Sequence, residues 1–263
     1  MCLLGPLRLC PHAISTVLAI AAGFALLHSS ARVWGIPGGP AVDAALIGLL
    51  AGVLAGRAEV LLVNLSYFLE RPARALVLSY GGLGHRSLMV FGVAAAALAF
   101  RRHGNISQFL CCLTAPLAGA SAIAWAGALW AGHWASMPAE SPLALTLPDQ
   151  YGVLAPRLPI QLVPALVSAA WVPFAITRSR PGHQRVQPLL AWALSMAAAR
   201  APLAFLRADV SLFLGLPRPL FADLGMAAAL ALAMALTRSA SDRQTRRSEE
   251  HTSELQSRST SSY

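Results

Sequence analysis

Long apolar runs separated by short polar or Pro/Gly-rich breaks recur seven times along this chain of 263 residues. The first extends from about His12 to Leu27, and the rest cover approximately 41–64, 80–100, 108–132, 158–177, 187–206 and 219–237. A helix needs ~20 apolar residues to cross hydrocarbon. The pattern therefore predicts an all-α polytopic membrane protein with seven transmembrane helices. The breaks carry suitable residues: Gly35-Ile36-Pro37-Gly38-Gly39, Pro72, Pro138, Pro142 and Pro217. With Arg8 before it, the first run has the outline of a secretory signal peptide. Because the apolar pattern then resumes through the chain, that run is read as a helix that stays.

Arginine placement sets the expected orientation. With the N-terminus outside, Arg32, Arg101, Arg102, Arg178, Arg180, Arg185, Arg238, Arg243 and Arg246 fall in cytoplasmic segments. The outer segments hold fewer: Arg8, Arg71, Arg74, Arg157, Arg207 and Arg218. This bias favours N-out, C-in, with the long Gly132–Arg157 loop outside. A single membrane domain over 1–238 is expected, followed by a polar tail over 239–263. From Arg247 the tail reads RSEEHTSELQS, which looks like a translated sequencing adapter, and it is excluded from fold reasoning.

Composition agrees with the hydropathy pattern. Hydrophobic residues make up 56% and charged residues only 12%, where a soluble domain carries about 25% charged. All the basic residues are arginine, and the net charge is +9. Arginine's planar fork suits bidentate phosphate contact, although a GC-rich genome's codon bias yields the same pattern. The charge fits cytoplasmic loops facing anionic lipid, and no aromatic-interleaved basic patch points to nucleic acid. Cys2, Cys10, Cys111 and Cys112 lack metal or disulfide spacing. Cys111 and Cys112 are expected to pack in a core. No metal or organic cofactor is implied.

Candidate chemistry begins with charges inside oil. Arg57, Arg86 and Arg200 interrupt apolar runs, where each costs about 2.5–3.5 kcal/mol at the bilayer centre. Such charges need partners or a wet cavity. Gly48, Gly52 and Gly56 make a stripe that admits a close neighbouring helix. Arg57 and Asn64, seven apart, are expected on one face, whereas Glu59 points elsewhere and is a poor intrahelical partner for Arg57. Arg57 is then either a structural interhelical ion pair or a ligand for lipid phosphate. The run Gly81-Gly82-Leu83-Gly84-His85-Arg86 opens a helix with free N–H groups that suit an anion. His85 is a candidate base because imidazole titrates near neutrality; the plain alternative is an interfacial histidine. Arg200 and Arg207 share a face about 10 Å apart along the axis, with Pro202 between them. Together they form a second phosphate candidate, although Arg207 is near enough to the boundary to snorkel. Trp125, Trp130 and Trp134 suit the outer interface.

The succession of these pieces resembles the prolipoprotein diacylglyceryl transferases of bacterial inner membranes. GPLRL resembles the family's Gly-Pro start, and AGRAEVLLVN its second-helix segment. YFLERPARAL followed by GGLG resembles the hairpin leading to Gly-Gly-Leu-Ser-Phe-His-Gly-Gly. AFRRHGNISQFLCCLTAPLA is similar to its Ala-Arg-Arg loop and fourth helix. RLPIQLVPAL is similar to Arg-His-Pro-Thr-Gln-Leu-Tyr-Glu-Ala, and RAPLAFLRAD to Arg-Phe-x-x-Glu-Phe-x-Arg-x-x-Asp. The resemblance covers residues 5–237. It retains Arg57, Asn64, Gly81, Gly82, Pro159, Gln161, Arg200, Arg207 and, one place out of register, Asp209. The family's histidine falls on Arg86, one place after His85. Its fourth-helix signature, Gly-Arg-x-Gly-Asn-Phe-x-Asn-x-Glu, falls on IAWAGALWAG. There Ala124, Gly127, Trp130 and Gly132 replace its polar groups, and Ala204 replaces a helix-six glutamate.

The resemblance implies transfer of diacylglyceryl from phosphatidylglycerol to the lipobox cysteine of a prolipoprotein signal segment. The implied setting is the bacterial inner membrane, among other membrane lipids. On this reading Arg57, Arg86, Arg200 and Arg207 are phosphate or lipid contacts, His85 is the candidate base, and Asn64, Gly81, Gly82 and Gln161 are cavity structure. The alternative is a catalytically silent relative that binds anionic lipid or lipoprotein segments. A transporter fits less well, because paired broken helices and a row of intramembrane carboxylates are missing from the sequence.

Overall fold

The computed structural model describes residues 2–4, 7–9, 11–77, 82–177 and 186–238. Gly81, Cys10, the loop arginines Arg178, Arg180 and Arg185, and the tail lie outside the described residues. The protein is mostly helical. Five stretches are long and apolar enough to cross a membrane: His12–Trp34, Gly38–Val63, Ile106–Trp130, Gln187–Leu206 and Arg218–Arg238. They correspond to α1 (Pro11–Trp34), α2 (Gly38–Val63), α5 with α6 (Ile106–Cys112 and Thr114–Trp130), α8 (Gln187–Leu203) with its 3-10 end, and α9 (Arg218–Arg238). The short α3 is Leu65–Glu70, and the apolar helices α4 (His85–Phe100) and α7 (Leu162–Thr177) are 16 residues each. Each predicted run thus coincides with a helix, and two of those helices are shorter than expected. On α2, Leu46, Ile47, Leu50 and Leu54 face outward unburied, as side chains solvated by lipid do.

The chain divides into two compact units, one of Val17–Ala120 with Trp171–Gln184, the other of Met1–Thr16, Ser121–Ala170 and Arg185–Tyr263. In the former, α1 ends in a Schellman-type turn. Gly35 is left-handed (φ 63) and Ile36 N donates to Ala31 O at 2.9 Å. Its core joins Leu27, Ala31 and Trp34 to Phe100, Phe109, Cys111 and Cys112, with Phe100 and Phe109 stacked at 4.3 Å. Asn105 caps α5 by accepting from Ser107 N at 2.8 Å. The predicted glycine stripe meets α4, running antiparallel. A Cβ on Gly52 would stand 2.6 Å from Leu88 O, and one on Gly48 2.6 Å from Gly92 O. The two backbones come close enough for Gly84 N to donate to Gly56 O at 2.8 Å.

In the other unit, the α6–α7 connection contains an antiparallel hairpin. Its strands β3 (Leu145–Pro148) and β4 (Leu154–Arg157) pair Leu147 with Ala155. A second hairpin, β5 (Leu212–Phe213) and β6 (Leu216–Pro217), joins α8 to α9. Near the N-terminus, strands Cys2–Leu4 (β1) and Leu7–Leu9 (β2) also pair. α8 and α9 are tied at both ends: Gln187 Nε2 donates to Thr237 Oγ1 at 2.7 Å, and Arg200 pairs with Asp223. Ser168 of α7 donates to Met196 Sδ of α8 at 3.0 Å.

Candidate functional site: two arginine centres

Arg57 lies in the penultimate turn of α2 and is only 8% exposed. The connection after α2 curls over it. Its Nε donates to Ala75 O at 2.9 Å, Nη1 to Gly82 O at 3.1 Å, and Nη2 to Arg74 O and Val77 O at 3.0 Å each. The Phe68 ring lies 5.3 Å from the guanidinium carbon. A planar fork of donors is thus matched to carbonyls of one loop, so a buried charge organises irregular backbone. Arg74 in turn donates to Tyr67 Oη at 2.6 Å. Asn64, at the end of α2, is exposed as its cap rather than buried beside Arg57, Nδ2 donating to Val60 O at 3.0 Å.

The start of α4 does hold an anion, and the anion is Glu59. Its Oε2 accepts from Ser87 N at 3.2 Å, and a Cβ on Gly84 would overlap the carboxyl. As read from sequence, Glu59 points away from Arg57. The missing step was its target, the N-terminus of α4, where a carboxylate is favoured by free N–H groups and the helix dipole. His85 is the first residue of α4 and, like Arg86, is half-buried; both make further contacts. Gly82 is left-handed (φ 69), a backbone conformation that favours glycine, and the space where a Cβ would stand is open.

The second centre lies in the other unit. Arg200, 6% exposed, pairs through Nη2 with Asp223 Oδ1 at 3.0 Å, and Asp223 is itself 2% exposed. Trp134 lies against both arginines, its ring centroid 4.9 Å from the Arg200 guanidinium and 3.7 Å from that of Arg207 just after α8's 3-10 end. Trp125 meets Trp134 edge-on at 4.9 Å and also faces Arg200 at 5.6 Å. Arg207 grips Asp209 with two bonds, of 2.8 and 2.7 Å. Sequence spacing placed Arg200 and Arg207 on one stripe but gave no signal that both meet one indole. Trp134 has φ 60, rare for a bulky residue. Flanking bonds hold it there: Met137 N donates to Leu206 O at 2.8 Å and Ala208 N to Ala135 O at 2.9 Å.

Gln161 is buried at 2% exposure. Its Nε2 donates to His133 O at 2.9 Å, while Oε1 has no partner among the described residues. The His133 ring meets His12 edge-on at 4.7 Å. Arg157, which the sequence showed only as a loop cation, is 5% exposed. It donates to Ser136 O and to Asp149 Oδ2, the latter at 3.1 Å. Hydrogen bonds from Val153 N and Tyr151 N, together with the Arg157 charge, outweigh desolvation and hold the Asp149 carboxyl below its ordinary value. A pocket of about 130 Å³ opens here, lined by Gly132, Ala135, Asp149, Gln150, Tyr151, Ala208 and Asp209. Of the positions where the resemblance lacks polar groups, Trp130 is exposed, whereas Gly127, Gly132 and Ala204 meet close neighbours. A Cβ on Gly127 would overlap Ser15, one on left-handed Gly132 would overlap the Asp149 carbonyl, and Ala204 is wholly buried. Among the described residues no cluster of metal-ligating side chains is present.

Apolar spanning helices with arginines held in their interior define a multi-pass membrane protein. Residues 1–240 match the prolipoprotein diacylglyceryl transferases, and the chain belongs to that family of bacterial membrane enzymes. Phosphatidylglycerol and prolipoproteins are the substrates that membership implies. No curated protein sequence matches the chain.

Proposed function

We propose that this protein transfers the diacylglyceryl group of phosphatidylglycerol to the lipobox cysteine thiol of a prolipoprotein in the bacterial inner membrane. The observation that carries this reading is the family match over nearly the whole chain. In the reaction a thiolate sulfur attacks the glycerol carbon that bears the phosphate. The C–S bond forms, the C–O bond breaks, glycerol phosphate leaves with the electron pair, and the thiol proton passes to a base. His85 is the candidate for that base. Arg200 and Arg207, which both lie against the Trp134 ring, are the candidates for stabilising the leaving phosphate. Arg86 is a further lipid contact in this reading, while Arg57, with its carbonyl partners, shapes the loop before α4.

Seven crossings with the N-terminus outside complete the proposal. At 1.5 Å per residue α4 and α7 are each about 24 Å long, so they span ~30 Å of hydrocarbon only with local thinning or help from flanking turns. Cysteine labelling should find the Gly132–Arg157 loop outside; finding it inside rejects this orientation.

Complementation of a bacterium depleted of its own transferase tests the activity. Removing a general base costs about 10²–10⁴-fold, so weak rescue that His85→Gln abolishes is expected. Full rescue that survives His85→Gln places the base elsewhere. A second reading, a silent relative that binds anionic lipid, is favoured by the close packing at Gly127 and Gly132. Absent rescue with normal insertion and normal phosphatidylglycerol retention would select it.

A further inference from the structure

The β5–β6 hairpin breaks two local rules at the same place. Its two-residue turn is Leu214-Gly215, with φ 52 and 77. A turn with both central residues left-handed favours Asn-Gly or Asp-Gly, because leucine's Cβ crowds its own carbonyl there. Leu214 is also 81% exposed, beside Leu212 at 66% and Phe213 at 51%. In water that combination loses on strain and on apolar exposure together. Among the described residues the tip has an edge contact, Phe213 on Phe221 of α9 at 5.7 Å, while Leu214 itself stays exposed.

The hairpin's attachment identifies what covers the tip. Two stretches of spanning length, Gln187–Leu206 and Arg218–Arg238, enter and leave it. Arg218 N donates to Ser211 O at 3.0 Å and closes its base. The tip lies only about four residues beyond that base, ~13 Å at most, so it stays at the boundary of the bilayer. Arg218, exposed at the first residue of α9, adds a cation beside the leucine–phenylalanine tip. An apolar tip with an arginine at its foot matches the headgroup–acyl boundary of a leaflet containing anionic lipid.

We infer that the Leu212–Leu216 hairpin inserts into the interfacial layer of an anionic lipid leaflet, Leu214 and Phe213 entering the acyl region while Arg218 meets headgroup phosphate. The inference stands independently of the transfer reaction, since a catalytically silent protein would insert the same way.

A diazirine-bearing leucine analogue at position 214 tests it directly in full-length protein reconstituted into vesicles. On irradiation, phospholipid adducts should dominate, with a severalfold higher yield in phosphatidylglycerol/phosphatidylcholine vesicles than in phosphatidylcholine alone. Adducts chiefly with water, or with another polypeptide, overturn it, and so does equal yield in the two vesicles. Leu214→Asn keeps a residue that tolerates the turn and should leave the melting temperature in detergent unchanged. With the photoprobe moved to position 213, Leu214→Asn should lower the lipid-adduct yield severalfold; an unchanged yield overturns the insertion. Arg218→Gln should abolish the preference for phosphatidylglycerol, and a preference that persists contradicts Arg218's part in it.

Discussion

Arg57 and Arg200 are both less than one-tenth exposed within apolar helices, yet the chain accommodates them in opposite ways. Arg57 spreads its donors over four carbonyls of a single loop, with no carboxylate among those bonds. Arg200 is neutralised by Asp223, which is also buried, and its guanidinium lies against two indoles. The first arrangement trades a charge for loop structure, because dipoles placed on one fork fix the backbone that carries them. The second keeps a charge poised beside aromatic surface and a second arginine. Burial of an arginine in a membrane helix therefore has no single meaning; the chemistry of its partners decides what it does.

Substitutions separate the two centres. The largest effect belongs to Arg200→Met, which strands a buried carboxylate. Loss of about 3–5 kcal/mol is expected, seen as a fall in detergent melting temperature. The double change Arg200→Met with Asp223→Leu should recover most of it; no recovery would show that Arg200 acts mainly through its tryptophans. Arg57→Gln comes next. The unpaired buried carbonyls should cost about 1–3 kcal/mol, with phosphatidylglycerol and phosphatidylethanolamine retention falling equally. Selective loss of phosphatidylglycerol would instead assign Arg57 to the lipid.

Trp134→Ala removes the surface shared by Arg200 and Arg207 and should cost about 1–2 kcal/mol. The near-ultraviolet circular dichroism of the Trp125–Trp134 pair should vanish with it. A preserved signal would mean the two indoles are not coupled. Arg207→Gln should change stability by less than about 1 kcal/mol, since its ion pair with Asp209 is partly exposed. Its phosphatidylglycerol retention should nonetheless fall more than phosphatidylethanolamine retention. The smallest effect is the pH response of the β3–β4 hairpin. The Asp149 carboxyl is held below its ordinary value of 3.8, so its stabilisation is complete above about pH 4 and is lost as pH falls through the lowered value. Protease sensitivity of the hairpin should rise only in that acid range, and Asp149→Asn should flatten the response.

Much of the helical layout was legible because hydropathy runs and breakers are local properties. The Gly48, Gly52 and Gly56 stripe carried its own message, and its antiparallel partner α4 is where it finds a neighbour. The polar groups were less legible because their partners are distant. Glu59 reaches Ser87 N, and Gln161 reaches the carbonyl of His133, 28 residues away in each case. Periodicity tells which way a side chain leaves its helix and nothing of what waits there. The β3–β4 hairpin stayed hidden inside a predicted loop because Pro148 and Pro156 disguise its alternation. Trp134 read only as an interfacial indole, since its contact with two arginines depends on a left-handed backbone set by the pairing of 135–137 with 206–208.

The carbonyls that receive Arg57 also set a timetable for biogenesis. They belong to residues 74 to 82, so they leave the ribosome 17 to 25 residues after the arginine itself. At about 5–20 residues per second, α2 waits one to several seconds before its charge can be matched. During that interval, partitioning of Arg57 into lipid is opposed by at most about 2.5–3.5 kcal/mol, the cost at a helix centre. Nascent α2 should therefore linger at the insertion machinery and be released together with α4 as a helical hairpin. Chains stalled with residue 73 just exposed should still crosslink to the insertase through α2, and chains extended past residue 100 should not.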